Sequence, residues 1–344
     1  MSAQPGGESL RLASPADAAV TQRLLNSAEP SIQLHVVTDL LGRLADNREV
    51  RRLQEQEVRR LREQVRTSSR VARLLSERDD TGRIPHDPYR AKWYGAHWVL
   101  VALAELGYPV GDESLVPLRD QILGWLFSSD YERYMGRVHG LPTLHASIDG
   151  NAVWSTLSLG IADERTEPLV QRLLDTQWPD GGWNCDRRAS GRSSSFTESL
   201  IPLRALALHA RLTGDERSLL AAERASEFFL AHRLFRRRHS GRVIAPAFLQ
   251  LHYPCYWHYD ILYGLEVLAE AGRVNDPGCD EALELLRGKA LPDGGFPAEH
   301  RYYRSGPNAT GQRSLVEWGP TSSRRMNEWV TVRALKVLQS RTDP

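Results

Sequence analysis

The chain has 344 residues, of which 41% are apolar and 25% are charged, so it can bury a sizeable core and is not a disordered protein. Its 44 Lys and Arg residues nearly balance 43 Asp and Glu residues, which excludes a strongly basic nucleic-acid binder. Three cysteines cannot form a disulfide framework, and no signal-peptide pattern or long apolar stretch is present. We therefore expect a cytoplasmic protein that binds no nucleic acid and does not span a membrane.

The first 70 residues differ from the rest of the chain. We expect residues 1–12 to be disordered and residues 13–70 to form a helical extension that packs on the main domain. Residues 30–41 predict one capped helix. Residues 50–66 are rich in Arg, Gln and Glu, with apolar residues at helical spacing, which is typical of a solvated amphipathic helix.

A repeated unit occupies residues 71–340. Two copies are plain, because residues 179–183 and 292–296 each read Pro-Asp-Gly-Gly followed by an aromatic residue, between two apolar helical segments. Three weaker copies fit the same template. The anchors Leu75, Leu126, Leu174, Leu230 and Leu286 are separated by 51, 48, 56 and 56 residues. Since one helix pair cannot cover its own apolar face, we predict five helix hairpins that stack side by side.

The turn residues explain the shape of one unit. A Gly pair permits positive φ, so the chain can leave the first helix sharply, and the aromatic residue can fold back on that helix. The second helices are predicted at 93–106, 151–159, 200–212, 258–271 and 329–338. No segment shows the alternation typical of strands, so we predict an all-α fold. Residues 305–323 predict a long loop, which is functional or disordered.

Residues 177–183, with the sequence Gln-Trp-Pro-Asp-Gly-Gly-Trp, resemble the repeat motif of the squalene/oxidosqualene cyclase and protein-prenyltransferase β-subunit superfamily. Residues 293–296 carry a second match, and segments 255–260 and 30–42 are similar to squalene-cyclase-like bacterial proteins. The resemblance covers residues 71–340. It implies an α/α toroid, in which parallel inner helices surround a central cavity, and an enzyme that handles isoprenoids.

The catalytic signatures of that superfamily do not carry over to this chain. The nearest counterpart of the cyclase Asp-x-Asp-Asp acid is Glu77-Arg78-Asp79-Asp80, where the repeat needs its turn. The prenyltransferase zinc motif Asp-x-Cys corresponds to residues 195–198, which read Ser-Phe-Thr-Glu. The motif is therefore specific for the fold and weak for the activity.

The repeat register predicts which residues meet at one end of a toroid. Parallel inner helices bring Trp93, Glu198, His258 and Glu328 to equivalent positions at the helix starts, and the second unit adds Asp149. Burial beside apolar walls raises the pKa of a carboxyl and makes it a usable acid. We predict one of these carboxyls as the acid or base, with His258 beside it. The alternative is that the acids only stabilise first helical turns and that His258 is a core or rim histidine.

Aromatic residues cluster at the same helix starts. Aromatic faces stabilise cations by about 0.5–2 kcal/mol each, which suits a carbocation route. The predicted substrate-binding residues are Trp93, Tyr94, Trp257, Tyr259, Trp329 and Asp260. Ordinary packing is the alternative interpretation for each of the aromatic residues.

A metal site is a further hypothesis. His252, Cys255 and His258 follow one another at three-residue spacing, and such ligands suit zinc. Pro254 interrupts any helix there, and the spacing is not that of a standard zinc motif; the loop residues His139 and His145 could join the group.

Two Arg-rich loop segments could bind an anionic ligand or surface, and the alternative is that they are simply exposed to solvent. Residues 301–304 could hold a diphosphate, and residues 236–239 could touch anionic lipid at a membrane surface.

Three functions therefore compete. The leading hypothesis is a terpene-cyclase-like or other isoprenoid-handling enzyme, with an aromatic-lined central cavity, an apolar small-molecule substrate and carboxyl acid/base catalysis. The second is a zinc-dependent α/α-toroid enzyme that acts on a peptide or thiol. The third is a non-catalytic ligand-binding scaffold. The activity in the first hypothesis comes from fold analogy alone.

Overall fold

A computed structural model describes residues 15–42, 48–306, 309 and 311–341. Helices dominate these residues, and the predicted all-α class is confirmed. No helix in these ranges combines the length and apolarity needed to cross a bilayer. The predicted disorder of residues 1–12 lies outside the described residues.

Ten of the described α-helices after residue 68 form five successive pairs, each with an outer helix followed by an inner helix. The outer helices are α4 (Ser69–Leu74), α6 (Val116–Leu126), α9 (Thr166–Thr176), α11 (Glu216–Ala231) and α13 (Asp280–Arg287). The inner helices are α5 (Ala96–Glu105), α8 (Ala146–Ser158), α10 (Phe196–Thr213), α12 (Ile261–Glu270) and α14 (Glu328–Ser340). The inner helices are buried on almost every side over most of their length, whereas α9 and α11 expose one polar face. This difference places the core between the two sets of helices.

The Gly-Gly turn makes the predicted sharp exit from α9. Gly181 has a φ of 97°, and Gln177 Nε2 donates hydrogen bonds to Gly181 O and Ala221 O, both at 2.8 Å. The next aromatic residue, Trp183, is fully buried, and its Nε1 donates to Leu173 O of α9 at 2.9 Å. The aromatic residue therefore folds back on the helix that the chain has just left.

The second unit contains strands that the sequence pattern did not predict. After α7 (Ser129–Glu132), β1 (Gly136–Val138) pairs antiparallel with β2 (Leu141–Thr143), and strands in the described residues are confined to this hairpin. Its two-residue loop has positive φ at His139 and Gly140, as tight hairpins require. The expectation of no strands was wrong here, because three-residue strands are too short to show alternation.

Helices from the start of the chain pack on the repeats. They are α1 (Pro15–Leu25), α2 (Pro30–His35), which continues into a π-helical segment (Val36–Leu40), and α3 (Arg48–Arg66). The inner helices contact one another in the order α5, α8, α10, α12, α14, and α14 then contacts α2 and the π segment. His35 Nε2 hydrogen-bonds Glu105 O at the end of α5, at 2.8 Å. The succession of contacts thus returns to the helix where it began.

Candidate functional site

Three residues from separate segments meet near the starts of α8 and α10. His145 precedes α8, Cys185 follows the Gly-Gly turn, and Glu198 lies in the first turn of α10. Each offers one nitrogen, sulfur or oxygen atom, and these three atoms lie within 4.8 Å of one another. His145 Nδ1 donates a hydrogen bond to Glu198 Oε1 at 3.1 Å. We call these three residues the rim site.

Backbone contacts hold the segments of the rim site together. Trp183 N donates to Ser199 Oγ at 2.8 Å, which fixes the Cys185 loop against the start of α10. This approach needs glycine, because a Cβ at Gly182 would lie 2.4 Å from the same Ser199 oxygen. Leu144 N donates to the backbone oxygen of residue 184 at 3.1 Å, which joins the His145 segment to the Cys185 loop.

The rim site contains one ionised carboxyl and one neutral thiol. Burial raises the pKa of Glu198, but the hydrogen bond and charge of His145 and the Ser147 N–H donor at 2.9 Å outweigh burial and lower it below its usual value. Burial and the Glu198 charge raise the pKa of the Cys185 thiol to about 12. The side chain of His145 is 31% exposed and that of Glu198 is 8% exposed, so solvent reaches the site through His145.

Asp149, a second predicted carboxyl, lies near Glu198 but is fully buried. Burial raises the pKa of Asp149 to about 6, although Arg172, with its Nη1 3.3 Å from Asp149 Oδ1, and Tyr131 act in the opposite direction. The fold therefore brings together two carboxyls whose pKa values are displaced in opposite directions. Such a pair is typical of acid/base sites.

Lys92 connects the rim site to two predicted aromatic residues, Trp257 and Trp93. Its Nζ lies 4.8 Å from the ring centroid of Trp257 and feels the charge of Glu198. Partial burial lowers the pKa of Lys92. His258 stacks between Trp257, at 4.3 Å, and Tyr302, at 3.5 Å between ring centroids. Lys92 thus contacts the Trp257 ring and interacts through its charge with both Glu198 and His258, two residues that the repeat register places at equivalent helix starts.

His258 is neutral, and one of its ring nitrogens has no hydrogen-bond partner among the described residues. Burial, with the charge of His252 adding to it, lowers the pKa of His258 to about 3. Within the described part of the chain, its Nδ1 and the buried Nε2 of His252 find no hydrogen-bond partner. His252 N donates to Asp260 Oδ2 at 2.9 Å, His252 Nδ1 lies 2.8 Å from the same oxygen, and Asp260 also accepts from Tyr263 N as the cap of α12. Asp260 is thus committed to holding a histidine and a helix start, which corrects its prediction as a substrate-binding residue.

The predicted metal trio of His252, Cys255 and His258 does not form. The buried Sγ of Cys255 accepts a hydrogen bond from Arg333 Nη1 at 2.9 Å, toward the middle of the protein. Of the His, Cys, Asp and Glu residues that the structure describes, only the rim site brings three ligand atoms within 4.8 Å.

Glu328 does not join the other predicted carboxyls. It begins α14, but its Oε2 accepts from Ser27 Oγ at 2.9 Å, in the segment between α1 and α2. The N-terminal helices occupy the space beside this helix start. The prediction that Glu328 joins the ring of residues at the helix starts was therefore wrong.

Four predicted aromatic residues pack instead of facing the rim site. Tyr259 is buried and donates its hydroxyl to Leu234 O at 2.7 Å. The other three rings lie against neighbouring rings: Trp93 on Tyr256 (3.9 Å), Trp329 on Tyr253 (5.0 Å) and Tyr94 on His86 (5.0 Å). Of the predicted aromatic set, Trp257 and Trp93 lie beside Lys92, whose Nζ is 4.8 and 5.7 Å from their ring centroids.

A second polar region lies between the inner helices, and its charged lining was not predicted. It is a central cavity of about 290 Å³. Its charged lining residues are His35, Asp39, Arg62, Glu105, Arg204, Glu266, Arg333 and Lys336, and its aromatic walls are Trp154, Tyr253 and Trp329. The predicted cavity lining was aromatic, whereas this lining is both aromatic and highly charged.

Ion pairs cross the central cavity from helix to helix. Arg204 Nε donates to Glu270 Oε2 at 2.7 Å and also pairs with Glu105, and Arg333 Nε donates to Glu266 Oε2 at 2.6 Å. Burial raises the pKa values of Glu266 and Glu270, but these cations outweigh it and hold both below their usual range.

The signal for this network was present in the repeat register. Glu105 and Glu270 each end a Leu-Ala-Glu triplet, and Arg204 and Arg333 each begin an Arg-Ala-Leu triplet, so repeated positions of the inner helices carry the paired charges.

The chain matches no protein-family model, no curated protein and no solved structure in the comparisons made. Interpretation of the site therefore depends on its own geometry.

Proposed function

We propose that the five helix pairs form an α/α toroid that α2 and the π segment complete. Two observations support this architecture. Each inner helix contacts the next, and the N-terminal segment contacts both α14 and the end of α5. Residues from every inner helix and from the N-terminal segment line one cavity. Parallel inner helices around a common cavity are the arrangement that the superfamily resemblance implies.

We propose that the rim site is the zinc centre of an enzyme that acts on a peptide or thiol. The observation that carries the proposal is the convergence of His145, Cys185 and Glu198, whose ligand atoms lie within 4.8 Å of one another at a solvent-accessible position. Nitrogen, sulfur and carboxylate oxygen are the donors that zinc prefers. This moves the predicted zinc site to a different set of residues.

The electrostatics of the three donors fit a cation. Glu198 is already ionised, and its charge is the reason, after burial, that the neighbouring thiol holds its proton. A bound divalent ion reverses this effect, because it stabilises the thiolate and the carboxylate together. The Ser147 N–H group orients the Glu198 carboxylate through a hydrogen bond, as residues next to the ligands of a metal site commonly do.

Three protein ligands suit a catalytic centre better than a structural one. Catalytic zinc keeps one coordination position for water or substrate, where it lowers the pKa of the group that it binds. Lys92, Trp257 and His258 lie on the same side of the protein and supply a cation, an aromatic face and an imidazole for substrate contact. Because thiolate ligation requires a reduced Cys185, we also propose the cytoplasm as the location.

Metal analysis of purified protein tests this proposal. The protein is stripped with chelator, incubated with zinc, desalted and analysed for bound metal. We expect one zinc per chain in the wild type and less than one tenth of that in Cys185→Ser and His145→Ala. Cobalt(II) in place of zinc is expected to give a thiolate charge-transfer absorption that Cys185→Ser abolishes.

Matched variants separate loss of the site from loss of the fold. Cys279→Ser removes another buried thiol, and His239→Ala removes an exposed histidine; both are expected to keep full zinc content. Absence of zinc from the wild type, or equal loss in the Cys185 and Cys279 variants, would refute the zinc centre.

A second candidate is carboxyl acid/base catalysis on an isoprenoid, the leading hypothesis from the sequence. The observation that favours it is the pKa of Asp149, which burial raises to about 6, beside the ionised Glu198. If Asp149 is the acid, turnover of polyprenyl substrates falls as pH rises above 6, because the acid loses its proton. Asp149→Asn would remove that turnover without changing zinc content. Failure of both the zinc and the polyprenyl assays would favour a non-catalytic scaffold.

A further inference from the structure

The central cavity has features of a ligand site that is independent of the rim site. Its volume of about 290 Å³ compares with about 30 Å³ for one molecule of liquid water. Trp154 and Trp329 provide aromatic walls, and much of the remaining lining consists of charged side chains.

Two of the lining cations are committed to the protein itself. Arg204 binds carboxylates of both α5 and α12, and its guanidinium lies 3.9 Å from the ring centroid of Trp154. Arg333 is held by Glu266 and by the sulfur of Cys255. Both guanidinium groups therefore brace the inner helices.

Two other cations have capacity to bind more. Lys336 Nζ lies 3.4, 3.5 and 3.7 Å from carboxylates of Glu266, Glu270 and Asp39, and all three distances exceed a normal charged hydrogen bond. Arg62 reaches the cavity from α3, and within the described residues its buried Nε has no hydrogen-bond partner. A buried donor without a partner is costly, so an acceptor in the cavity would stabilise it.

The charge balance of the region favours an anion. Four carboxylates face four Arg and Lys residues there: Asp39, Glu105, Glu266 and Glu270 against Arg62, Arg204, Arg333 and Lys336. His35 adds a fifth positive charge when protonated. Burial lowers its pKa, but the hydrogen bond and charge of Asp39 and the Glu105 carbonyl outweigh burial and the repulsion of Lys336. One negative charge from a ligand would then neutralise the group.

We propose that the central cavity binds a small organic monoanion, with its carboxylate or phosphate group held by Arg62 and Lys336. The aromatic walls contact the organic part of the ligand. The rim site has no part in this binding, so the proposal is independent of the zinc centre.

Calorimetric titration of chelator-treated protein at pH 6 and low salt tests the proposal. The probes are benzoate, acetate and inorganic phosphate, with benzyl alcohol as the uncharged counterpart of benzoate. We expect saturable binding of at least one anion and none of benzyl alcohol. Benzoate binding best would indicate an organic carboxylate, and phosphate binding best would indicate a phosphorylated ligand.

Arg62→Gln is the decisive variant, because Arg62 makes no described ion pair whose loss would unfold the protein. It is expected to weaken anion binding at least tenfold with an unchanged circular dichroism spectrum. Arg59→Gln, on an exposed position of the same helix, is the matched control and is expected to bind as wild type does. Lys336→Gln tests the second cation. No saturable binding of any anion, or wild-type affinity in Arg62→Gln, would overturn the proposal.

Discussion

The rim site and the central cavity show two ways of keeping carboxylates inside a helical protein. At the rim, Glu198 lies at a helix start, where it accepts a hydrogen bond from the Ser147 N–H group at the start of the neighbouring α8. At the cavity, Glu105 and its neighbour Glu270 lie at helix ends, where the helix dipole disfavours acids, although Glu270 itself does not line the cavity. These acids are held by Arg204, which comes from another helix.

The difference teaches where free binding capacity is to be found. At the rim, a backbone N–H and the partly exposed His145 hold Glu198, so the site retains donors that a metal ion could use. Around the cavity, the acids at helix ends depend on the buried Arg204, so this cation is committed to the fold. Only cations with incomplete partners, such as Arg62, remain for a ligand.

The largest effect is expected where a committed cation is removed. Arg204→Met leaves Glu105 and Glu270 without their guanidinium, and breaking a buried pair in this way costs about 3–5 kcal/mol. Arg60→Met, which breaks an exposed pair with Glu57, is the control and is expected to cost less than about 1 kcal/mol. Urea denaturation measures both; similar free energies of unfolding would contradict the distinction between braced and exposed pairs.

The next largest loss of stability is expected from substitution of a glycine in the turn that supports the rim site. Gly181→Ala forces a side chain into positive φ and places its Cβ 2.2 Å from Arg224 O, which we expect to cost about 3 kcal/mol. Gly214→Ala has a similar φ but open space, so it should cost about 1 kcal/mol. Thermal unfolding of the two variants isolates the packing cost, and equal melting temperatures would show that the turn is not tightly enclosed.

Zinc removal tests whether the rim donors bind a cation. At free zinc one hundred times its dissociation constant, the loaded protein should gain about 2.7 kcal/mol over the stripped protein. Cys185→Ser should show no zinc-dependent change in melting temperature, whereas Cys279→Ser should respond as wild type does. A zinc-dependent gain that survives in Cys185→Ser would place the metal elsewhere.

The smallest effect concerns His35, which links α2 to the cavity. Its pKa in the folded protein is raised above the ordinary histidine value of about 6.5. The protonated form is therefore stabilised by folding, so this contribution is complete below pH 6.5 and is lost as pH rises through the folded pKa. His35→Gln should destabilise the protein more at pH 5.5 than at pH 9. A difference from wild type that stays constant with pH would argue against a protonated His35.

Local sequence signals were sufficient for the helices. The Pro-Asp-Gly-Gly turn at residues 179–182 and the apolar segments around it predicted where α9 ends and where α10 follows, because turn chemistry and helical periodicity act over a few residues. The hairpin at residues 136–143 was missed, although His139-Gly140 is a residue pair that favours positive φ in tight turns.

Long-range placement was beyond the sequence pattern. His145 and Glu198 are 53 residues apart, and the loop that brings Cys185 between them depends on contacts with Ser199. The register placed Glu198, Asp149 and His258 at one end, but it could not show that the segment between α1 and α2 covers Glu328. It also could not show that Cys255 turns toward Arg333.

The contact between the first helices and α14 has a consequence for biosynthesis. The hydrogen-bond partner of Ser27, Glu328, is synthesised 301 residues later. At about 5–20 residues per second, translation needs roughly 15–60 s to reach Glu328. During that interval α2, whose buried residues include Ile32 and Leu34, lacks its contact with α14. Until α14 is synthesised, α2 can therefore pack on α14 of a second copy, so exchange of α2 between two molecules is the expected misassembly at high expression.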